Sequence, residues 1–575
     1  MATTFTLDLT ACLIPALALS SYSMSGAVPD PVSALDAIRK TVGRLDVFCQ
    51  AGSIGVPAQA PELAAFLEPM VHQVAAPSKG LFHPKVWLAH YVHDDLGPIL
   101  KLLVLSRNLT HDNTWDIIVS LQSEKVGTSP RPQNDPLRDF LASLPGRAVH
   151  APPADRRRRI ENLADLSHRA VWSLPNGADS VAFHFIDGGR TPPTLASRRQ
   201  LVISPFINDG GLKLLAGSSS TRTVVVSRAD ELEKLSPSSV AAIEAYIMDP
   251  VAGVIETSDE ADGATSLGVL GALHAKAYVL ETDGQRKPRV ILGSANATDV
   301  AFASNVEFLI EFVGAWKTFG IDAWLGDEAE PTPFRAMIER YEPTGGSERD
   351  HEEEARWNLE NQLRRIGTIP HKAVAEALND GTFELRLQAA EYRLARQYRA
   401  TIRPLTRPGT DLKIDAAGEV ALAFPGLAKA EVTGFFVVTL EDVDESIEAS
   451  CVILSALEND PADRLDAVIA AQLDTPEKFI RFLYLLMSLG DPSAIEVATS
   501  GAGTAGFFGD LAKGSGVLEL ILKGLAANPS VITEIDRVIT ALAELGDRQS
   551  VLPEGFADLW PVVLEAQRLV IGAEE

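Results

Sequence analysis

Two polar quartets of the same residue types stand about 190 residues apart in this 575-residue chain. Each places His-x-Lys before one apolar run and Ser-x-Asn just after the next. An imidazole can attack phosphorus or transfer a proton, and ammonium and amide groups can hold phosphate oxygens. Brought to one point, the two quartets would form a metal-free site for a phosphodiester. Their members are His83, Lys85, Ser106 and Asn108, then His274, Lys276, Ser294 and Asn296.

The intervals within the two copies argue against coincidence. From His to Ser the interval is 23 residues in the first copy (83 to 106) and 20 in the second (274 to 294). The difference falls in a turn rich in Asp, Gly and Pro, where hairpin loops vary in length. The alternative is that each His is a satisfied buried imidazole and that each Lys extends from a strand end toward water.

Short apolar or alternating runs surround both quartets and predict the strands of a buried sheet. Because His and Lys are two residues apart, both point to one face of a strand. Each Asn then falls in a strand-end loop, where functional groups are common. The predicted strands cover residues 85–91, 100–106, 115–121, 276–281, 289–294 and 306–313.

Two acids supplement the quartets. Glu307 follows Asn296 by eleven residues on the next predicted strand, and Asp116 is placed on the equivalent strand of the first copy. A carboxylate at either position could hold the opposite imidazole in one tautomer. The alternative is that both acids mark solvated strand ends.

The twin motif resembles that of the phospholipase D superfamily, whose signature is His-x-Lys followed by Ser-x-Asn, given twice per active site. The loops Ser-Arg-Asn-Leu-Thr and Gly-Ser-Ala-Asn-Ala-Thr look closer to its tyrosyl-DNA phosphodiesterase and nuclease branch than to the lipases. The usual acid five residues after Lys is His90 in the first copy and Glu281 in the second. The full signature is therefore not met, as also happens in the tyrosyl-DNA phosphodiesterase branch. The resemblance covers roughly residues 1–320.

The resemblance implies an α/β fold of two similar lobes with pseudo-two-fold symmetry, residues 1–170 and 171–325. It assigns His83 as nucleophile and His274 as acid and base, although the sequence itself does not order them. It implies that no cofactor or metal takes part. Its function is then that of a phosphoric diester hydrolase with a phosphohistidine intermediate.

The net charge of −26 first argues against a nucleic-acid substrate. Residues 1–320, however, hold 28 Lys and Arg against 33 Asp and Glu, a net of −5, so the remaining 255 residues carry −21. The run Arg156 to Arg159 could contact a phosphate backbone, or it could be a solvated helix start. The acidity therefore belongs mostly to the C-terminal part.

The rest of the chain is predicted as three parts. Residues 326–380 read as an acidic linker or helical connector, and 381–450 as a small β-rich domain. Residues 451–575 have helical periodicity and no catalytic constellation, so we interpret them as a module for a protein partner or self-association. The predicted helical segments lie at residues 464–473, 476–489, 516–525 and 532–545.

No apolar run approaches the length of a membrane span, and the first residues lack the basic start of a signal peptide. Three scattered Cys give no metal spacing and indicate a reducing compartment, so we expect a cytoplasmic protein.

Three functions remain open: a nuclease or DNA-end-processing enzyme, a phospholipase or phosphatidyl transferase, and a catalytically silent nucleic-acid-binding module. The loops favour the first, the intact quartets argue against the third, and a nuclease joined to acidic helical modules resembles bacterial defence and repair proteins.

Overall fold

The structure is a computed structural model of the chain. The residues it describes are 1–12, 15, 41–58, 61–77, 80–93, 97–216, 222–258, 265–269, 272–282, 286–326, 331–348, 350–414, 418–487, 518, 521–522, 525, 530–545, 551–553 and 555–572.

Sheet 1 is formed by the N-terminal part of the chain. Its strands are β1 (Ala2–Thr4), β2 (Val47–Gln50), β3 (Val71–Val74), β4 (Val86–His93), β5 (Gly97–Leu105), β6 (Ile118–Val126) and β7 (Ala170–Trp172). They are ordered β3-β2-β1-β4-β5-β6-β7. β1, β2 and β3 are parallel, and every pairing from β1 through β4 to β7 is antiparallel. Helices α1 (Asp135–Arg147) and α2 (Ala154–Arg169) lie between β6 and β7 in the chain.

Sheet 2 follows. Its strands are β8 (Ala178–Ile186), β9 (Arg199–Ile203), β10 (Arg222–Val226), β11 (Ile243–Met248), β14 (Ala277–Glu281), β15 (Arg289–Gly293), β16 (Glu307–Gly314) and β17 (Ile338–Arg340), with β12 (Val254–Ser258) and β13 (Thr265–Val269) as a separate hairpin. The order is β17-β11-β10-β9-β14-β15-β16-β8. β9, β10 and β11 are parallel and the other pairs antiparallel. The run β11-β10-β9-β14-β15-β16 therefore matches β3-β2-β1-β4-β5-β6 in order and direction.

Short helices connect the strands of sheet 2. They are α3 (Asp209–Ala216), α4 (Ala229–Glu233), α5 (Pro237–Val240), α6 (Asp299–Ala303), α7 (Trp316–Phe319) and α8 (Ile321–Leu325). Turns of 3-10 helix cover Val42–Arg44, Pro61–Phe66, Pro132–Asn134, Pro250–Gly253, Arg335–Met337 and Lys429–Glu431.

One apolar core joins the inner faces of the two sheets. Alternate residues of each strand enter it, as Leu201 and Ile203 of β9 do, while Val202 between them packs on the other face. Phe140 of α1 closes one side of this core against Phe308 of β16, with ring centroids 4.9 Å apart. The mixed α/β class predicted from the sequence is confirmed.

The predicted strands around the quartets form β4, β5, β6, β14, β15 and β16. The position of Asp116 differs from the prediction: this residue precedes β6 and does not lie on it. Its neighbour Trp115 instead forms an isolated bridge with Leu273, which draws this segment toward the second copy.

The segment predicted as a linker, residues 326–380, is more structured than expected. β17 within it pairs with β11 and so extends sheet 2 past the predicted boundary at 325. Helix α9 (His351–Gly367) follows, capped by the Asp350 side chain, which accepts from the Glu352 N–H. β18 (His371–Ala377) then starts the next sheet before the predicted boundary at 381.

The β-rich unit has two four-stranded sheets. Its further strands are β19 (Phe383–Ala389), β20 (Tyr398–Pro404), β21 (Leu412–Ile414), β22 (Val420–Leu427), β23 (Phe435–Asp442), β24 (Ile447–Leu454) and β25 (Ala456–Glu458). The orders are β22-β19-β18-β25 and β21-β20-β23-β24. Side chains from both sheets and from α9 share one core. The strands continue to residue 458, so the helical part begins later than the predicted residue 451.

The C-terminal described elements are helices, as the periodicity predicts. They are α10 (Arg464–Gln472), α11 (Pro476–Met487), α12 (Ser530–Glu544) and α13 (Phe556–Gly572). The predicted segment 516–525 lies largely outside the described residues. Arg464 binds Glu68 beside sheet 1 at 2.7 Å, with both side chains buried, and so ties this part to the N-terminal part.

No helix among the described residues is long and apolar enough to cross a membrane. Cys12, Cys49 and Cys451 are buried and free.

Candidate active site

The backbone brings the two quartets to one junction between sheets 1 and 2. His83 lies just before β4, and its N–H donates to the Val306 carbonyl at 2.9 Å. His274 lies just before β14, and its N–H donates to the Trp115 carbonyl, also at 2.9 Å. Each histidine segment therefore pairs with the chain of the other copy.

The two acids make the contacts predicted for them. Nδ1 of His83 lies 3.0 Å from Oε2 of Glu307, and Nδ1 of His274 lies 2.9 Å from Oδ1 of Asp116. Each carboxylate belongs to the copy opposite its imidazole, and both acids are buried. The alternative of solvated strand ends is wrong. With Nδ1 directed at a carboxylate, Nε2 is the nitrogen that can react.

Each motif serine holds the carboxylate of its own copy. Ser106 Oγ donates to Asp116 Oδ1 at 2.7 Å, and Ser294 Oγ donates to Glu307 Oε2. Both hydroxyls also accept from the backbone of the neighbouring strand, from Ile117 N at 2.9 Å and Phe308 N at 3.0 Å. The serines therefore orient the acids.

Two supports of the carboxylates were not found from the sequence. Thr114 Oγ1 donates to the second oxygen of Asp116 at 2.6 Å. Asn305 Nδ2 donates to the second oxygen of Glu307 at 3.0 Å. Each residue lies two positions before its acid, which is the spacing that could have indicated them.

Both motif lysines are almost completely buried. Lys85 Nζ donates to the His83 carbonyl at 2.9 Å, and Lys276 Nζ to the His274 carbonyl at 2.6 Å. Burial lowers the pKa of Lys276 to about 7, against the opposing charges of Asp116 and Glu307. Burial lowers the pKa of Lys85 well below its usual value, and the charge of Lys276 lowers it further. The lysines thus share one electrostatic site, where a bound anion would favour their charged forms.

Burial and nearby charges also set the pKa values of the two imidazoles. Burial lowers the pKa of His83 to about 4, although Glu307 acts to raise it. Burial also lowers the pKa of His274, while Asp116 raises it and the two lysines lower it. Both imidazoles are therefore neutral at pH 7 before an anion binds.

The acids stay ionised. Burial would raise the pKa of Asp116, but hydrogen bonds from His274, Thr114 and Ser106 outweigh it and hold that pKa at about 2. Burial also acts to raise the pKa of Glu307, and the charges of His83 and Lys85 bring it below its usual value.

The motif asparagines have the same environment in both copies. The Oδ1 atoms of Asn108 and Asn296 are buried without a hydrogen-bond partner in the described part of the chain. Buried polar atoms are nearly always partnered. An unpartnered amide at the same position of both copies is typical of a site that receives a polar ligand.

One hydroxyl holds the backbone of each asparagine loop. The sequence analysis did not identify these two hydroxyls. Thr4 Oγ1 accepts from Leu109 N, and Ser204 Oγ accepts from Ala297 N, both at 2.9 Å. Each also donates to a carbonyl two residues ahead at 2.7 Å, Thr4 to Thr6 and Ser204 to Phe206. Ser204 therefore hydrogen-bonds to the asparagine loop and to its own strand end.

The arginine run lies in the first turns of α2, as the helix-start alternative expects, but its members differ in their surroundings. Arg156 is buried and binds Asp46 at 2.8 Å, and Arg159, which is partly exposed, binds the same carboxylate at 2.6 Å. These two side chains neutralise a buried acid, whereas Arg157 and Arg158 are exposed. A contact of the run with a phosphate backbone stays a prediction.

The other two positions considered in the sequence lie away from the junction. Glu281, at the far end of β14, accepts from Ile321 N at 2.8 Å and pairs with Arg199 at 3.4 Å. His90 lies on β4, seven residues after His83, and is exposed.

Among the described residues, no group of three or more His, Cys, Asp or Glu side chains could hold a metal ion. No family model matches the chain, and no curated protein matches it.

Proposed function

We propose that the chain is a phosphodiesterase of the phospholipase D type, most similar in its loops to the nuclease and DNA-end-processing branch. The observation that carries this proposal is the exchange of carboxylates. His83 is held by Glu307 of the second copy, and His274 by Asp116 of the first, so neither copy is complete alone.

We also propose that sheets 1 and 2 form two lobes related by a pseudo-two-fold axis. Matching strand order supports it, and so do the paired contacts of the serines, lysines and bracing hydroxyls. Two equal half-sites would enclose one phosphate between two imidazoles.

In the first step, Nε2 of His83 forms a P–N bond as the P–O bond to the leaving group breaks. His274 gives its proton to the leaving oxygen. In the second step, His274 takes a proton from water, whose oxygen forms a new P–O bond. The P–N bond breaks, and its electron pair returns to His83.

The charges of the site suit these two reaction steps. With the anion bound, the two lysines are held in their charged forms and cancel the two ionised carboxylates, so a phosphodiester monoanion adds one uncompensated negative charge. That charge favours the protonated form of an imidazole. The His274 side chain is 21% exposed against 9% for His83, so it exchanges protons with water more readily and is the better acid and base.

Lys85, Lys276, Asn108 and Asn296 are assigned to the non-bridging oxygens, where charge grows in the transition state. Nucleic acid is the substrate we propose, and no basic amphipathic segment of the sequence favours a lipid. A cytoplasmic location, a role in bacterial defence or repair, and self-association through the acidic C-terminal part remain predictions.

Labelled single-stranded DNA, duplex DNA and RNA should be incubated with the protein in excess EDTA, beside a phosphatidylcholine assay. We expect cleavage of nucleic acid, abolished in His83→Ala protein purified in the same way. Cleavage that requires added Mg²⁺ would reject the mechanism. Turnover of phosphatidylcholine alone would reject the substrate, and folded protein inactive on every substrate would leave a binding module.

A further inference from the structure

A groove of about 280 Å³ opens beside His274, on the sheet 2 side of the site. Trp115 and Leu273 form its wall nearest the site, and they directly precede Asp116 and His274 in the chain. The rest of its lining comes from the segments that follow β10 and β11 and includes Ser227, Arg228 and Met248. The groove therefore adjoins the two segments that carry Asp116 and His274.

The groove is lined by a buried hydroxyl, of Ser227, that has no hydrogen-bond partner among the described residues. Ser227 is 1% exposed, and its Oγ makes no hydrogen bond within the described part of the protein. Its backbone is fixed, since Ser227 N donates to the Tyr246 carbonyl at 3.0 Å. A buried hydroxyl without a partner is costly unless a ligand completes it.

The rim of the groove carries an aromatic ring and a guanidinium. The Arg228 guanidinium lies 5.5 Å from the ring centroid of Phe206, which is 38% exposed. Its charge is balanced by Asp230 at 2.8 Å, and Asp249 is a second acid in the lining. With the indole of Trp115, the groove offers planar groups for stacking and no excess of positive charge for a phosphate. A nucleobase has that shape and polarity.

In sheet 1 the equivalent position, at the segment that follows β2, is filled by described residues of a later part of the chain. A Cβ built on Gly52 would lie 2.3 Å from the Leu363 carbonyl of α9, and Val452 N donates to the Ile54 carbonyl at 2.8 Å. The β-rich unit therefore occupies this position. The groove is a feature of one side of the site and not a general consequence of the repeated strand pattern.

We propose that this groove holds the nucleobase adjoining the scissile phosphate of a single-stranded nucleic acid. The inference rests on the proposed function. A base that is paired and stacked in a duplex cannot enter a groove of this size beside a buried phosphate site, whereas an unpaired base can.

The test uses two single-stranded DNA oligonucleotides, one of thymidines and one in which abasic residues flank the central phosphates. Wild-type protein should cleave the base-carrying strand about tenfold faster in kcat/KM, the effect of one stacked base. In Arg228→Ala and Phe206→Ala this ratio should fall toward one. Arg190→Ala is the matched control, because Arg190 stacks on Phe185 at 4.9 Å away from the groove. It should keep the tenfold ratio.

Each outcome separates the two proposals. If wild-type protein cleaves neither strand and none of the nucleic acids of the EDTA assay above, the proposed function fails. If it cleaves both strands equally, or if the ratio persists in both groove variants, the function stands and the groove inference is overturned. Annealing the thymidine strand to its complement should slow cleavage, and undiminished cleavage of the duplex would also overturn the inference.

Discussion

Sheets 1 and 2 present the same quartet from the same run of strands, but their outer faces are covered differently. On sheet 2 the cover comes from its own chain segment, chiefly α3, α4 and α6, with residues such as Leu215 and Phe302. On sheet 1 the cover combines residues of its own segment, such as Leu67, with Phe435, Val437 and Val452 of the distant β-rich unit. The contacts inside the site are matched in kind, although the acid is Glu307 in one half and Asp116 in the other, while the surroundings differ more widely.

That difference reaches the chemistry. The first half-site belongs to sheet 1, against which the β-rich unit packs, and His83 is the more buried imidazole. The second half-site adjoins a groove, and His274 is the more exposed. A nucleophile benefits from a neutral, desolvated position, whereas an acid and base must exchange protons with water.

Removing each imidazole in turn should reveal the largest difference between the two half-sites. His83→Ala should lower kcat by 10⁴-fold or more and leave no trapped adduct, since a missing nucleophile removes the covalent route. His274→Ala should accumulate a covalent protein–DNA species when the leaving group is good, because hydrolysis still needs a base. Denaturing electrophoresis of labelled reactions measures the adduct.

An adduct in the His83 variant and none in the His274 variant would exchange the two roles. The absence of an adduct in both, under conditions in which wild-type protein turns over, would contradict a phosphohistidine intermediate.

The unequal covers give a second prediction. Phe435→Ala and Phe302→Ala each remove a buried ring, so each should lower the free energy of unfolding by about 3–5 kcal/mol. Only Phe435→Ala weakens the contact between sheet 1 and the β-rich unit. We expect it to separate the calorimetric unfolding into two transitions, while Phe302→Ala shifts the transition without splitting it. Identical profiles for the two variants would argue that the cover of sheet 1 is not a distinct interface.

Binding of an inert anion should depend on pH through the lysine of the second copy. The pKa of Lys276 is lowered to about 7, so this ammonium is charged below that pH and neutral above it. Because the anion needs the charged form, its affinity should fall as pH rises through 7, by up to about tenfold per pH unit. Titration calorimetry with sulfate, whose own charge does not change from pH 6 to 8, measures this. Lys276→Met should bind weakly at every pH, and a wild-type affinity that rises with pH would contradict the site's electrostatics.

Sequence reasoning located the quartets, their strands and both acids, because strand alternation and fixed motif spacing are local signals. It failed where a side chain's partner lies far along the chain. Arg156 and Arg159 bind Asp46 more than 100 residues away, so their run looked available for a phosphate. Strand β17, inside the segment predicted as a linker or helical connector, was missed for the same reason, since its pairing with β11 spans about 90 residues. Ser227 and Trp115 carried no pattern that marks a groove.

The smallest expected effect concerns Thr4 and Ser204, whose hydroxyls hold the two asparagine loops. Thr4→Val and Ser204→Ala each leave a buried backbone N–H, of Leu109 and Ala297, without its acceptor. A hydrogen bond of this kind is worth about 1 kcal/mol, so each variant should lose about fivefold in kcat as its asparagine loop relaxes. Thr4→Ser and Ser204→Thr keep the hydroxyl and should restore most of the rate.

The two hydroxyls should nevertheless differ in their effect on the groove. Ser204 also donates to the carbonyl of Phe206 at the groove rim, whereas Thr4 donates to the carbonyl of Thr6, which does not line this groove. Ser204→Ala should therefore reduce the preference for a base-carrying strand, and Thr4→Val should not. Equal loss of that preference in both variants would mean that the groove and the asparagine loop are not coupled through Ser204.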